Sequence, residues 1–291
     1  MTATADDVAF CYRLILGREP DPEGLRSHIE ARLSVEAVVR SLLDSAEYRT
    51  KNQALKTVML FGHEFVVRAS QTMYVEDYEP YVFHHLMKFI APGKRFLDVG
   101  ANIGMFAVHA AVRGAEVIAI EARPSNNALI LENARRSHVS IELHPLAVSD
   151  RHGYAVLDVS SENENAAIRR GEAGSIGDYV VATALIDELV GDQLIDVMKI
   201  DIEGHEYRAM LGARRMLASS RPVIVSEYHP DFQRSGSGVP GAVYFEYLQQ
   251  FGYRMSMMLR SGELQPVATD ADIDAVCYRL GHHIDLLLEP I

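Results

Sequence analysis

The run Arg95-Phe96-Leu97-Asp98-Val99-Gly100-Ala101-Asn102-Ile103-Gly104 constrains this chain more than any other stretch of it. A short apolar strand carries a carboxylate near its end, turns on two glycines and opens into the apolar-periodic stretch Met105 to Val112. Glycine accepts positive φ and lets a ligand approach without a Cβ in the way, and the helix that follows presents unpaired N–H groups at its first turn. The pattern is that of a nucleotide-binding turn. A dinucleotide site asks for G-x-G-x-x-G, whose middle glycine lets a pyrophosphate rest on the helix end. Here Asn102 stands between Gly100 and Gly104, and Asp98 precedes them. A carboxylate at that place repels a diphosphate and suits the amino group of a nucleotide that carries an amino acid, as S-adenosylmethionine (SAM) does.

A second strand, Glu116 to Ile120, ends at Glu121 and is followed by Ala122-Arg123-Pro124. An acidic residue at that tip accepts the ribose hydroxyls of a nucleotide, in charge-assisted hydrogen bonds of roughly 1.5–3 kcal/mol. NAD enzymes use the same device, so Glu121 points to a ribose and the glycine spacing has to choose the cofactor.

With 291 residues, 48% of them hydrophobic, the chain has enough apolar side chains for a substantial core. Its 28 basic and 40 acidic residues give a formal charge of −12, which argues against nucleic acid as a partner, because backbone phosphates are bound by neutralising Lys and Arg. Cys11 and Cys277, both in apolar patterns, read as buried free thiols. No apolar run approaches the roughly 20 residues of a membrane span, and Asp6 and Asp7 occupy the place of a basic leader region, so a cytoplasmic protein is expected.

Residues 1 to 55 read as a small helical unit and residues 56 to 291 as a second, α/β domain. Helical spacing runs over Ala5 to Leu16, Pro22 to Leu33 and Ser34 to Tyr48, with Asp21 and Ser34 as N-caps. Thr57 to Arg68 alternates as a hairpin with Phe61-Gly62-His63 at its turn, and Tyr81 to Ile90 reads as a helix. From Lys94 onward strands and helices alternate, the pattern of a doubly wound, mostly parallel sheet. Its strands are expected at Arg95–Val99, Glu116–Glu121, Ile141–Val148, Ile195–Ile202 and Pro222–Glu227, with Arg254–Leu259 and Ile284–Leu288 closing it as an antiparallel pair. The intervening helices are Ile103–Val112, Pro124–Ser137, Glu206–Ala218 and Val243–Phe251. Tyr154–Val159 and Val180–Thr183 form a peripheral pair around the polar stretch Ser161 to Asp178, a candidate lid.

The fourth strand carries Lys199-Ile200-Asp201-Ile202-Glu203-Gly204-His205-Glu206. At a period of two, Lys199, Asp201 and Glu203 share one face, and charges on a central parallel strand are costly unless paired or functional. Ligands of open α/β sheets bind beyond the carboxyl ends of the strands, where Asp201 and Glu203 fall. Asp201 also has a structural reading, as the partner of Lys199; Glu203 has one as a helix cap, and Glu206 as a complement to the helix dipole. The fifth strand ends in Ser226-Glu227-Tyr228-His229, which brings a carboxylate and a histidine to the same edge. A hydroxyl acceptor must lose its proton as a methyl group moves, so a base is needed, and Asp201, His205, Glu227 and His229 are the candidates. A divalent cation between Asp201 and Glu227 is compatible with the residue types, but scattered carboxylates do not make a metal site and none is expected. His282-His283 reads as surface or packing.

The blocks Phe96 to Gly104, Glu121-Ala122-Arg123-Pro124, Leu146-Ala147-Val148-Ser149-Asp150 and Lys199 to Glu206 together resemble the FkbM family of SAM-dependent methyltransferases, over about residues 75 to 288. The resemblance implies a class I methyltransferase fold, a Rossmann-like, mostly parallel sheet with an antiparallel final strand. It also implies O-methylation of a sugar, glycan or natural-product hydroxyl. By the same resemblance Asp98, Gly100, Asn102, Gly104 and Glu121 bind SAM, Ala147 and Val148 lie beside its adenine, and Asp201 and Glu203 stand at the active edge. The chain departs from the family's T-L-D with Thr183-Ala184-Leu185-Ile186-Asp187. Tyr12 to Leu25 resembles a small helical domain found in bacterial glycan-related proteins.

The expectation is a SAM-dependent O-methyltransferase of a glycan or secondary-metabolite hydroxyl. A nicotinamide-dependent oxidoreductase is disfavoured by the missing third glycine spacing and by Asp98. A catalytically inactive binding protein of the same fold is the other alternative. A nucleic-acid N-methyltransferase lacks its Asn/Asp-Pro-Pro-aromatic motif, since the fourth strand ends in Asp201-Ile202-Glu203-Gly204.

Overall fold

The structure is a computed structural model that describes residues 2–16, 18–51, 55–69, 71, 78–158, 167–169, 179–267, 270–280 and 283–291. Four helices come first: α1 (Ala5–Leu16), α2 (Pro22–Glu30), α3 (Val35–Leu43) and α4 (Ala46–Lys51). Asp21 and Ser34 are their N-caps as the sequence suggests, accepting from the N–H of Gly24 and of Ala37. The expected helix Ser34–Tyr48 is two helices. Ser45 makes the break, since its hydroxyl donates to the Leu42 carbonyl at 2.7 Å and accepts from the Tyr48 N–H at 3.1 Å. Helix α2 stops at Glu30 because Arg32 takes φ 48° and the next cap follows at once. Val8, Cys11, Ile15, Val38 and Leu42 form the apolar core of this bundle.

A hairpin of β1 (Leu55–Leu60) and β2 (His63–Arg68) turns on Phe61 and Gly62, both at positive φ, which is the type I′ geometry that matches strand twist. The chain continues through α5 (Pro80–Leu86), β3 (Arg95–Val99), α6 (Met105–Val112), β4 (Glu116–Ile120), α7 (Pro124–Arg136), β5 (Glu142–His144) and β6 (Ala147–Val148). Next come β7 (Gly153–Asp158), β8 (Ala167–Arg169), β9 (Tyr179–Ala184), α8 (Ile186–Val190), β10 (Val197–Ile200), α9 (Glu206–Leu211) and α10 (Arg214–Ser219). The last part comprises β11 (Val223–Tyr228), α11 (Pro230–Gly236), α12 (Gly241–Gln249), β12 (Tyr253–Met258), β13 (Leu264–Pro266), α13 (Asp270–Leu280) and β14 (Ile284–Pro290).

The main sheet has the order β13-β12-β14-β11-β10-β3-β4-β5. Strands β11, β10, β3, β4 and β5 are parallel, and β14 is antiparallel to both β11 and β12. The sheet is thus the mostly parallel one expected, with its antiparallel final strand inserted between β11 and β12. From β3 the chain winds outward to β4 and β5, then returns to lay β10 on the other side of β3. That reversal opens a crevice beyond the carboxyl ends of β3 and β10. Apolar layers cover both faces, one built round Leu97, Met198 and Ile224 and the other round Phe96, Val225 and Leu287.

Three expected elements are corrected. Ile141–Val148 is not one strand: β5 pairs with β4, whereas β6 pairs with β9 in a separate sheet of order β6-β9-β7-β8. Pro145 has no N–H to continue the β5 ladder, and Leu146 folds back to donate to the His144 carbonyl. Glu206–Ala218 breaks into α9 and α10 at Gly212, where a Cβ would stand 2.2 Å from the Ser149 carbonyl oxygen. Strand β10 ends at Ile200, two residues early, because the backbone of Asp201 turns to pass close over Gly100. The candidate lid, Ser161–Asp178, lies outside the described residues apart from Ala167–Arg169. Both cysteines are free and buried, and burial pushes their thiols up to about 11 at Cys11 and about 12 at Cys277. Among the described residues, no helix is long and apolar enough to cross a membrane.

Asn133 of α7 joins the hairpin to the glycine turn. Its fully buried side chain accepts from the Val66 N–H at 2.7 Å and donates to the carbonyls of Val66 at 3.2 Å and Ile103 at 2.9 Å. Asn133→Ala strands those backbone groups at a cost of about 3 kcal/mol, and thermal unfolding is expected to fall by about 6–12 °C. A drop below about 2 °C would show that water replaces the amide.

Candidate active site

The turn after β3 is set by three residues at positive φ, Gly100 at 83°, Asn102 at 52° and Gly104 at 83°. The N–H groups of Gly100 and Ala101 both donate to the Ile120 carbonyl, which ties the turn to the end of β4. A Cβ on Gly100 would stand 1.9 Å from the Asp201 carbonyl oxygen, so only glycine lets the two backbones meet there. Glu121, at the tip of β4, accepts from the N–H of Asn102 and of Arg123, each at 2.8 Å. Burial raises its carboxyl above the ordinary range, and those two N–H groups work against the rise.

A cleft of about 1000 Å³, including its open mouth, lies over this turn. Gly100, Ala101, Asn102 and Glu121 form one wall, and Ala122, Leu146, Ala147, Val148 and Leu157 form an apolar slot beside it. The far end is charged, with Glu79, Lys199, Asp201, Glu203, Glu227 and His283. Of the residues expected to bind or react, Gly100, Asn102, Glu121, Ala147, Val148, Asp201, Glu203 and Glu227 therefore share one cavity.

Lys199 organises the charged end. Its ammonium donates to Asp201 Oδ2 at 2.7 Å and lies 4.8 Å from the centre of the Phe106 ring. Burial alone would lower the lysine, but Asp201, Glu79 and Asp98 surround it and hold it above its ordinary value. Burial likewise tends to raise Asp201, yet the Lys199 charge and hydrogen bonds from Lys199 and Glu227 keep it low. Glu227 is raised well above the ordinary carboxyl range by burial and by the charges of Asp201 and Glu203. Asp201, Glu203 and Glu227 bring oxygens within 4.8 Å of one another, and the cation the structure supplies to them is Lys199.

Four expected site residues stand outside the cleft lining. Asp98 lies beneath the floor, 1% exposed and opposite Lys199 in the β3–β10 ladder, where the lysine charge acts on it. Neither of its oxygens has a hydrogen bond of ordinary geometry, and burial pushes its carboxyl up to about 7. Gly104 serves the turn: its Cβ would press on Ile130 at 3.3 Å. His205 is turned away by the positive φ of Glu203 and Gly204, and its Nε2 lies 3.1 Å from the Ser149 hydroxyl in a buried pair. His229 caps α11, accepting from the Asp231 N–H and stacking on Phe232 at 4.5 Å.

Two further residues have structural duties. Glu206 accepts from the N–H of Ile202 and Gly204 and thereby holds the loop that carries Glu203. Asp187, in the segment that departs from the family pattern, accepts from the N–H of Arg215 and Met216 at the start of α10. Of the other lining residues, Glu79 was not singled out by the sequence and His283 was read there as surface or packing. His283 immediately precedes β14, two residues before Asp285, which sits opposite Glu227 in the ladder, so strand period was the available signal.

The family model described as the methyltransferase FkbM domain matches residues 98–255. No curated protein matches the chain. Among solved structures, the chain is similar to a methyltransferase FkbM from Methylobacillus flagellatus, at 14% identity and a TM-score of 0.45 over 95% of this chain and 58% of that one. It is also similar to the Pyrococcus abyssi tRNA (uracil-54, C5)-methyltransferase in complex with S-adenosyl-L-homocysteine, at 14% identity and a TM-score of 0.44 over 81% of this chain and 43% of that one. The chain thus spans about half the length of these two structures.

The buried acids make stability depend on pH. Burial pushes Asp98 from the ordinary 3.8 to about 7 and Glu206 from 4.5 to about 7. Each then holds a proton in the folded state that the unfolded chain has already released. Such a group's contribution is full below its unfolded pKa and is lost as pH rises through the folded one. The ligand-free chain is expected to melt at a lower temperature at pH 9 than at pH 6, and Asp98→Asn is expected to shrink the difference. A melting temperature that rises over this interval would contradict the burial of these acids.

Proposed function

The chain belongs to the FkbM family of SAM-dependent methyltransferases, and on that premise we propose that it transfers a methyl group to a hydroxyl oxygen of a sugar, glycan or natural-product acceptor. The observation that carries this reading is the composition of the one cleft. A ribose-suited carboxylate, an apolar slot and a fixed acid–lysine–histidine cluster share it, so cofactor and acceptor can meet there.

The residues present fit SAM. Glu121 would hold the ribose hydroxyls and is already aligned by two backbone N–H groups. Ala147, Val148, Leu157 and Ala122 would flank the adenine without any charged side chain. The Oδ1 of Asn102 is buried at the cleft wall with no hydrogen-bond partner among the described residues, a group that a polar ligand would satisfy. When bound, SAM supplies a methyl group on a positively charged sulfur, ready for attack by an oxygen nucleophile. Asp201, locked by Lys199, would orient the acceptor, and hydroxyl-rich ligands suit a wall that offers several carboxyl oxygens.

Methyl transfer from labelled SAM to methyl hexopyranosides is the expected activity, and wild-type chain that methylates none of a panel of sugars, glycans and hydroxylated macrocycles would contradict it. Glu121→Gln is expected to weaken S-adenosylhomocysteine binding roughly 10–150-fold, the loss of a charge-assisted hydrogen bond. Unchanged affinity in a calorimetric titration would remove Glu121 from the ribose. Asp201→Asn is expected to lower turnover at least about 10-fold in a chain that still folds, at a melting temperature reduced by the loss of the buried Lys199 partner. Normal turnover would make Asp201 a structural partner of Lys199 alone.

A further inference from the structure

A row of polar groups, Lys199, Asp201, Glu227 and His283, runs from the buried lysine into the cleft. Lys199 only donates, and it gives a proton to Asp201 Oδ2. The Lys199 charge holds the Asp201 carboxyl low, whereas burial and the charges of Asp201 and Glu203 raise Glu227. Glu227 Oε1 lies 3.1 Å from His283 Nδ1. With a carboxyl oxygen accepting at that contact, Nδ1 carries the hydrogen and the imidazole lone pair is on Nε2. The ring lines the cleft with its side chain 30% exposed, whereas Glu227 is 11% exposed.

We propose that His283 is the general base for the acceptor hydroxyl and that Glu227 is the residue that positions it; the assignment rests on the methyl-transfer reading above. As a lone pair on the acceptor oxygen forms the bond to the methyl carbon, the sulfur–carbon electron pair remains on sulfur. The hydroxyl proton passes to Nε2 of His283, which returns it to solvent. The other acids and histidines serve less well. Asp201 is engaged by Lys199, whose charge keeps its carboxyl low, burial raises Glu227, and His205 and His229 stand outside the cleft lining.

Glu79, Lys199, Asp201, Glu203 and Glu227 line the same end of the cleft as this ring, and Asp201 and Asp285 of β14 both feel its charge. Tyr81 donates to Asp285 Oδ2 at 2.9 Å and holds that carboxyl in place. The imidazolium formed during transfer therefore faces carboxyl groups rather than another cation, Lys199 being already engaged with Asp201.

The test combines kinetics with a direct view of the ring. With labelled SAM and methyl hexopyranosides, His283→Asn is expected to cut turnover roughly 10²–10⁴-fold and to abolish the fall in rate at acid pH, with S-adenosylhomocysteine affinity within about threefold of wild type. Glu227→Gln copies the donor and acceptor pattern of the neutral acid and is expected to cost less than about 10-fold, whereas Glu227→Ala costs more than that. Nitrogen-15 spectra of histidine-labelled chain with S-adenosylhomocysteine, assigned by difference from His283→Asn, are expected to show the Nδ1–H tautomer. An Nε2–H tautomer overturns the assignment without any acceptor. An active wild type matched by His283→Asn overturns the base alone. Wild type that binds S-adenosylhomocysteine but methylates no glycoside overturns the reading on which it rests, and the base with it.

Discussion

The ammonium of Lys199, sealed between β3 and β10, is the charge on which the cleft depends. It stands opposite Asp98 in the ladder, donates to Asp201 and faces the Phe106 ring. A buried charge costs several kcal/mol unless its partners are well placed, and here the acids come from β3, from the turn beyond β10 and from the residue before α5. The lysine charge holds the Asp201 carboxyl low, and the Asp201 charge in turn helps raise Glu227, the neighbour of His283. One buried cation thus sets the polarity of a row of groups that ends in the solvent-reaching cleft.

The close pass of Asp201 over Gly100 sorts the neighbouring residues. Because β10 ends at Ile200 and the backbone then turns, Glu203 takes positive φ and lines the cleft. His205, two residues on, is carried into a buried pair with Ser149. Glu206 holds that loop through two backbone N–H groups. Gly204 is needed for the same reason as Gly100, since its Cβ would stand 2.1 Å from the Phe232 carbonyl oxygen of α11. The strand end, the turn and α11 are therefore one mutually constrained unit, and the chemistry of the cleft follows from it.

Much of this was legible before the structure. The glycine turn, the tip of β4, the Ala147-Val148 wall, the N-caps at Asp21 and Ser34 and the antiparallel closing strand all follow from local rules of period, capping and turn chemistry. What escaped depends on tertiary register. His283 reads as surface or packing until β14 is laid beside β11, and Glu79 enters only because the residue before α5 lines the cleft. Asp98 looks like a ligand from the sequence because carboxylates are rarely buried, but its partner is a lysine on the adjacent strand. His229 shares a strand end with Glu227, yet the cap it makes on α11 draws it away. Pro145 was visible, and its missing N–H was the signal for the split of the third strand.

The measurement that tests the central claim most directly is a parallel calorimetric titration of the purified chain with S-adenosylhomocysteine and NAD. The arrangement of Gly100, Asn102, Glu121 and the apolar slot predicts saturable binding of S-adenosylhomocysteine at one site per chain and no heat of binding with NAD. Binding of NAD alone would contradict the account of the glycine turn and of the cleft built upon it.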